Sequence, residues 1–168
     1  VRRSELRKAI LAAIGASSKS TVVDPTGLNE VESRPLRILL AEDNLLTAQT
    51  MANHLRLKNF RVELATDGVQ TLAKVRTQLP NLILMDLQMP NMDGLEATLR
   101  IRADERFKQI PIVAFTALTI PGDCERALAA GVDAYLSKPI SSNRLLDVVN
   151  FHLDQESEHT SMMTAVSL

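Results

Sequence analysis

Acidic, hydroxyl and amino side chains follow the short apolar segments of this sequence. Glu42 and Asp43 end the first such segment, and Asp86 ends a later one. Thr116 ends the next, and Lys138 follows the last. If these segments are parallel strands, the side chains converge at one edge of a sheet. Clustered carboxylates repel one another, and this repulsion raises their pKa values. A divalent cation relieves that repulsion, and we predict Mg²⁺, which is held by carboxylate, water and phosphate oxygens.

The same set of side chains is suited to phosphoryl transfer. A carboxylate is a competent nucleophile for making an acyl phosphate. The metal, the Lys138 ammonium and the Thr116 hydroxyl can hold the phosphoryl oxygens while negative charge spreads over them. These residues therefore predict Mg²⁺-dependent phosphoryl-transfer chemistry.

The strands that must position these side chains are indicated by the apolar pattern. Segments 38–41, 82–85 and 112–115 are short and almost continuously apolar. Interior strands of a parallel sheet have this composition because helices cover both faces. Segment 61–64 alternates apolar and polar residues, as an edge strand does, and 134–136 is a fifth, shorter candidate.

Helical patterns follow each predicted strand, and Gly131 is a predicted helix stop. Five strands in strict alternation with helices predict an α/β, doubly wound parallel sheet with helices on both faces. Ligands of such sheets bind at the carboxyl ends of the strands. The predicted apolar stripes are Ala48, Met51, Ala52 and Leu55; Val69, Leu72, Ala73 and Leu79; Leu95, Thr98 and Ile101; Ile120, Cys124, Ala127 and Leu128; and Leu145, Val148, Val149 and Leu153.

The composition is that of one globular domain with flanking segments. The 168 residues are 45% hydrophobic and 23% charged, and the net charge is −1. This balance predicts no nucleic-acid partner and no direct membrane contact. Aromatic residues make up 3% of the chain and Trp is absent, which argues against stacking on bases. The single cysteine, Cys124, cannot form an internal disulfide and is predicted to be a small core residue.

Four motifs in order give residues 36–153 a family resemblance. They are Leu-Leu-Ala-Glu-Asp-Asn at 39–44, Met-Asp-Leu-Gln-Met-Pro-Asn-Met-Asp-Gly at 85–94, Ala-Phe-Thr-Ala at 114–117 and Tyr-Leu-Ser-Lys-Pro at 135–139. Together they resemble the receiver domain of two-component signalling. The resemblance implies a flavodoxin-like fold with strand order 2-1-3-4-5 and the acceptance of phosphate from a histidine.

The resemblance also implies a metal site. By position in the motifs, Asp86 is the phosphoacceptor. Asp43 and Asp86 would bind Mg²⁺ directly, with the backbone carbonyl of Gln88 as the third protein ligand. Glu42 would act through water.

Three further residues have roles that the resemblance implies. Thr116 and Lys138 would hold the phosphoryl group, and Thr116 and Tyr135 would form the switch. A cis peptide bond between Lys138 and Pro139 is also implied, and cis costs an X-Pro bond only about 0.5–1 kcal/mol.

The motifs resemble the receivers of hybrid sensor histidine kinases more than those of DNA-binding response regulators. The expected partner is a histidine kinase dimerisation/phosphotransfer domain or a histidine phosphotransfer protein. The expected location is cytoplasmic, and a membrane-anchored parent would have this domain on its cytoplasmic side. The chain itself would phosphorylate and dephosphorylate with Mg²⁺, while kinase activity would belong to the parent.

Leu45 and Leu46 are predicted to form a partner-docking surface. They stand at the start of the first predicted helix, beside the polar residues Asn44 and Thr47. The hybrid-kinase receivers often have Pro and Val at these positions, so the departure bears on the identity of the partner. The opposing interpretation is that both leucines are core residues.

Three other functions are alternatives to the phosphoacceptor role. A phosphorylation-independent interaction module would typically lack the acids or the lysine, and it remains the alternative. A phosphohydrolase with an aspartyl phosphate commonly has a second Asp at the position of Gln88. A flavin-binding protein would need a Ser-, Thr- or Gly-rich loop at Glu42 and Asp43, where acids repel phosphate.

The flanks are divided as follows. Residues 1–15 align with the segment from Ile140 in their apolar positions and are predicted to be the last helix of a preceding receiver-like domain. The alternative is an unrelated amphipathic linker helix. Residues 16–35 are predicted to be a linker, 36–154 the receiver domain and 155–168 a flexible tail.

Overall fold

The structure is a computed structural model that describes residues 35–117 and 122–164, except for the side chains of Asp123 and 155–164. Over these residues, strands alternate with helices. The strands are β1 (Arg37–Ala41), β2 (Arg61–Ala65), β3 (Leu82–Asp86), β4 (Ile112–Thr116) and β5 (Ala134–Ser137). The helices are α1 (Leu45–Arg56), α2 (Gly68–Gln78), α3 (Gly94–Arg102), α4 (Asp123–Ala130) and α5 (Ser142–Thr164). The helix predicted at 1–15 and the linker up to residue 34 lie outside the described residues.

The strands form one parallel sheet in the order β2-β1-β3-β4-β5. The predicted fold class and strand order are confirmed. After β1 the chain adds β2 on one side and then returns to add β3 on the other. The carboxyl ends of β1 and β3 therefore flank the point where strand order reverses, which is where such sheets bind ligands.

The interior strands are buried on both faces because apolar side chains alternate between two cores. On β3 and β4 every residue is buried. Met85 and Ala114 pack in one core. Leu84 and Phe115 pack in the other. The edge strand β2 instead alternates exposed and buried residues, as its sequence predicts.

Short polar side chains begin three of the helices at the carboxyl ends of the strands. Asn44 caps α1 by accepting from the Thr47 N–H, and Asp67 caps α2 by accepting from the Gln70 N–H. Asp93 caps α3 in the same way. These caps satisfy N–H groups that have no partner within the helix. The first helical turns are thereby fixed beside the strand ends.

The apolar stripe predicted for α2 is only partly right, because Leu72 packs against the core but Ala73 is exposed. Val69 and Leu79 are 52% and 60% exposed. The buried face instead contains Gly68, Thr71 and Val75. Thr71 can be buried because its hydroxyl donates to the Asp67 carbonyl at 2.7 Å, which satisfies it within the helix. Apolar residue type was therefore a poor marker for the buried face of this helix.

Two other helices differ from the prediction. On α4, Leu128 is 49% exposed and Cys124 is half-buried rather than core. Helix α5 continues to Thr164, so most of the segment predicted as a flexible tail from 155 is helical. The stretch 142–164 contains neither Gly nor Pro, and nothing in it ends the helix at Leu153. Within the described ranges, no helix has the length and apolar character needed to cross a membrane.

Candidate functional site

Asp86 is the last residue of β3 and lies at the centre of the site. Its side chain is nearly inaccessible to solvent, with 3% of the residue exposed. Oδ1 accepts a hydrogen bond from the Gln88 N–H at 3.0 Å. Oδ2 accepts one from Nζ of Lys138 at 2.6 Å. Both oxygens are thus held in defined directions at the edge of the sheet.

Lys138 reaches this carboxylate from the loop after β5. Its Nζ donates to Oε2 of Glu42 at 2.8 Å and lies 5.1 Å from the centre of the Phe115 ring. The Lys138–Pro139 peptide bond is cis, as the resemblance implied. Burial favours the neutral amine, but hydrogen bonds to Asp86 and Glu42 outweigh it and raise the pKa of Lys138. The lysine is therefore a fixed positive charge between two carboxylates.

Glu42 follows β1 and is the most buried acid of the site, with 1% exposed. Burial is the main cause of its raised pKa, and the charge of Asp86 adds to it. The hydrogen bond from Lys138 and the Asn44 N–H, 3.2 Å from Oε1, act in the opposite direction. The ion pair with Lys138 thus offsets only part of the cost of burying this carboxylate.

Asp43, unlike Glu42, is exposed. Carboxylate oxygens of Glu42, Asp43 and Asp86 nevertheless lie within 4.8 Å of one another. A set of only oxygen donors, with one acid open to solvent, fits a hard cation that keeps several waters. The chemistry of the donors therefore fits Mg²⁺.

Two further predicted residues lie on β4 and β5. Thr116 ends β4, is 2% exposed and stands in register with Ser137 of β5. Tyr135 lies on β5 and is 42% exposed, so it is not the core residue that an aromatic on a short strand usually is. A hydrogen bond with the side chain of Cys124, together with that group's charge, raises the pKa of Tyr135.

Gly94 is a structural requirement of the site that sequence reasoning passed over. A Cβ at this position would lie 2.2 Å from the Asp86 carbonyl oxygen and 2.9 Å from Cα of Leu87. The Gly94 N–H donates to the Leu87 carbonyl at 3.1 Å, which closes the loop between β3 and α3. The signal was present in the sequence, because Gly94 ends the motif that contains Asp86.

Comparison with known proteins decides the family. The family model of the response regulator receiver domain matches residues 38–150. The chain belongs to this family. Receiver domains act in two-component systems, where they interact with histidine kinases or phosphotransfer proteins and bind Mg²⁺ at an acidic pocket.

Two curated relatives show the range of proteins that contain such a receiver domain. The polar-differentiation response regulator DivK of Brucella anthropi is 34% identical over 119 residues, which are 71% of this chain and 97% of DivK. Hybrid signal transduction histidine kinase I of Dictyostelium discoideum is 36% identical over 140 residues, which are 79% of this chain and 8% of the kinase. The chain thus spans a small part of that kinase.

A solved receiver domain is similar in both sequence and structure. It is the receiver domain of the sensor histidine kinase PA1611 from Pseudomonas aeruginosa PAO1, with a magnesium ion coordinated in its active site cleft. Its sequence is 37% identical and its TM-score is 0.67, over 71% of this chain and 98% of that one.

The helix that directly follows Glu42 and Asp43 in the chain begins with exposed leucines. Leu45 and Leu46 are 59% and 76% exposed at the start of α1. The core interpretation of these leucines is therefore wrong.

Proposed function

We propose that this receiver domain accepts a phosphoryl group on Asp86 from a phosphohistidine in a Mg²⁺-dependent reaction. The observation that supports the proposal most is the placement of the Asp86 carboxylate, which lies 2.6 Å from the Lys138 ammonium and beside Glu42 and Asp43. A phosphorylation-independent interaction module would have no need to hold a carboxylate, an ammonium and two further acids so closely.

In the proposed step, a carboxylate oxygen of Asp86 attacks the phosphorus atom of the phosphohistidine. An O–P bond forms and the N–P bond breaks, which leaves an acyl phosphate on Asp86 and returns histidine to the donor with its electron pair. Attack by water on the phosphorus would later release inorganic phosphate and restore the carboxylate. The overall path transfers one phosphoryl group and needs no oxidant or reductant.

Four residues would hold the metal. Asp43 and Asp86 would ligate Mg²⁺ directly, the backbone carbonyl of Gln88 would be the third protein ligand, and Glu42 would act through water. When bound, Mg²⁺ screens the negative charge of the phosphoryl oxygens and of the acids. The buried, ion-paired Glu42 and the exposed Asp43 support this division between an indirect and a direct ligand.

Thr116 and Lys138 would hold the phosphoryl oxygens. Both lie at the edge where Asp86 lies, Thr116 at the end of β4 and Lys138 after β5. Lys138 would exchange its bond to the free carboxylate for bonds to the phosphoryl group. Thr116 would move toward the phosphate, and Tyr135, half-exposed on β5, would change its position with it as the second residue of the switch.

We infer that the parent protein is a hybrid sensor histidine kinase. The similarity to the Dictyostelium discoideum hybrid kinase and to the PA1611 receiver supports this context. The phosphoryl donor would then be a kinase dimerisation/phosphotransfer domain or a histidine phosphotransfer protein in the cytoplasm. The exposed Leu45 and Leu46, which follow Asp43 closely in the chain, would contact that donor.

Phosphate transfer from a labelled donor tests the function. A histidine phosphotransfer protein carrying ³²P-phosphohistidine is mixed with the full chain and Mg²⁺, and the label is followed from donor to acceptor. We expect transfer to the wild type, none to Asp86→Asn, and none when a chelator removes Mg²⁺. Transfer to Asp86→Asn at the wild-type rate would overturn the assignment.

A further inference from the structure

A second group of polar contacts joins the turn after β2 to the loop between β3 and α3. Oδ1 of Asp67 accepts a hydrogen bond of 2.8 Å from the Gln70 N–H, which caps α2. Oδ2 of Asp67 accepts one of 3.0 Å from Nδ2 of Asn91. Asp67 is only 8% exposed, so water competes weakly for these bonds. One carboxylate thus holds a helix start and a loop at once.

Asn91 has a backbone conformation that needs support. Its φ is +64°, in the left-handed region that non-glycine residues rarely adopt, although Asn tolerates it better than most. The Met92 N–H donates to the Pro90 carbonyl at 2.7 Å, which makes a three-residue turn around Asn91. Three-residue turns with positive φ at the centre are rare and strained. The side-chain bond to Asp67 holds Asn91 in this turn.

The neighbouring residue provides a second attachment to α2. The Gly68 N–H donates to the Met92 carbonyl at 2.9 Å. A Cβ at Gly68 would lie 2.7 Å from both Cγ and the carbonyl oxygen of Met92. Only glycine allows so close an approach. The turn at 90–92 is therefore fixed to the start of α2 through two consecutive residues.

The same loop carries the backbone next to the phosphoacceptor. Its ends are joined by the bond from the Gly94 N–H to the Leu87 carbonyl, 3.1 Å long. Within it, the Gln88 N–H donates to Oδ1 of Asp86 at 3.0 Å. A loop closed at its ends and fixed at its outer turn leaves little freedom for the peptide groups of Gln88.

We propose that Asp67 and Asn91 are positioning residues for the phosphorylation of Asp86. This role rests on the proposed function. By holding the turn at 90–92, they fix the Gln88 backbone, whose N–H orients Asp86 and whose carbonyl is the proposed metal ligand. Neither residue would touch the metal or the phosphate. Removal of a group that orients a metal ligand typically lowers metal affinity or activity by about 10–100-fold.

Two substitutions release the loop while keeping its surroundings. Asn91→Gly removes the side-chain bond but suits a positive φ, and it leaves the net charge unchanged. Asp67→Ser keeps a side chain that can cap α2 but has no second oxygen for Asn91. The matched control is Asp93→Ser, which removes the same charge near the same loop and keeps a capping hydroxyl on α3.

The experiment measures Mg²⁺ affinity by isothermal titration calorimetry and the rate of phosphorylation by acetyl phosphate over a range of Mg²⁺ concentrations. Urea unfolding reports folding. We expect Asn91→Gly and Asp67→Ser to fold and to bind Mg²⁺ about tenfold more weakly, and Asp93→Ser to bind within about twofold of the wild type. At saturating Mg²⁺ the two loop variants should approach the wild-type rate, since the defect lies in holding the metal.

Several results would overturn this role. Wild-type affinity in both loop variants would show that the pair does not position the loop. An equal loss of Mg²⁺ affinity in Asp93→Ser would show that the effect comes from the removed charge. Loss of folding in both loop variants would show that Asp67 and Asn91 are needed for the fold itself. If the wild type itself neither binds Mg²⁺ nor gains phosphate, the proposed function fails, and the inference falls with it for that separate reason.

Discussion

Nζ of Lys138 donates a hydrogen bond of 2.6 Å to Oδ2 of Asp86, although the two residues are 52 positions apart in the chain. The same nitrogen donates a hydrogen bond of 2.8 Å to Oε2 of Glu42, so it links the carboxyl ends of β1 and β3 to the loop after β5. A phosphoryl group on Asp86 would replace one of these contacts. If Asp86 is phosphorylated as proposed, Lys138 would connect the phosphoryl group directly to the β5 edge of the sheet.

Substitution of that lysine is expected to separate metal binding from the conformational response. Lys138→Met leaves the carboxylates of Asp43 and Asp86, so Mg²⁺ still binds. Without the ammonium, phosphorylation no longer pulls on β5 and α5, and we expect the amide NMR shifts of both elements to stay unchanged on addition of acetyl phosphate. Lys108→Met, which alters an exposed lysine paired with Glu105, is the control and should respond fully. A full response in Lys138→Met would refute the coupling role.

The exposed leucines of α1 provide a test of partner docking. Leu46→Glu is expected to slow transfer from a phosphohistidine donor by about tenfold, equivalent to ~1.4 kcal/mol, while phosphorylation by acetyl phosphate is unchanged. The matched control is Leu57→Glu, which changes a leucine that is 84% exposed just after the far end of α1. An unchanged rate of phosphoryl transfer to a folded Leu46→Glu variant would show that these leucines do not contact the donor.

Gly94 is expected to tolerate no side chain. Gly94→Ala would place a methyl group 2.2 Å from the Asp86 carbonyl oxygen, and we expect a loss of about 3 kcal/mol in the free energy of unfolding. Gly122→Ala is the comparison, because its φ is +97° but nothing lies within 4 Å of its Cβ position. Its expected cost is about 1–2 kcal/mol from backbone strain alone. Urea unfolding followed by circular dichroism measures both values; equal losses would mean that the close approach at Gly94 is unimportant.

The capping carboxylate of Asp67 gives a pH-dependent prediction. The Gln70 N–H and then the Asn91 amide lower the pKa of Asp67 below its ordinary value. A carboxylate with a lowered folded-state pKa stabilises the fold above its unfolded pKa, and this stabilisation is lost as the pH falls through the folded value. In Asn91→Gly the second bond is gone, so the pKa should rise part of the way back. Carboxyl ¹³C shifts followed from neutral to acid pH measure this; an identical midpoint in both proteins would mean that the Asn91 bond is weak.

The strand pattern made most of this architecture predictable. Near-continuous apolar segments indicated β1, β3 and β4, and the rule that ligands bind at the carboxyl ends of strands then selected Glu42, Asp43 and Asp86. The structure brings these acids together with Lys138. The prediction succeeded because burial on both faces leaves a strong signal in residue type.

Other features depend on contacts that cannot be read from the pattern of apolar and polar residues along the chain. Asp67 also follows a strand, but β2 is an edge strand, and the partner of Asp67 is Asn91 in a separate loop. The buried face of α2 includes Thr71, whose hydroxyl is satisfied by the backbone of its own helix. These features follow from hydrogen bonds that form only once the sheet has brought the loops together.

Intact-mass spectrometry tests the central claim most directly. The full chain is incubated with acetyl phosphate and Mg²⁺, with Asp86→Asn beside it and Asp93→Asn as a matched control in the same loop. We expect the wild type and Asp93→Asn to gain the mass of a single phosphoryl group, and Asp86→Asn or a chelated sample to gain none. Borohydride reduction should convert the labelled residue to homoserine at position 86. A phosphoryl gain by Asp86→Asn equal to that of the wild type would contradict the assignment of Asp86 as the phosphoacceptor.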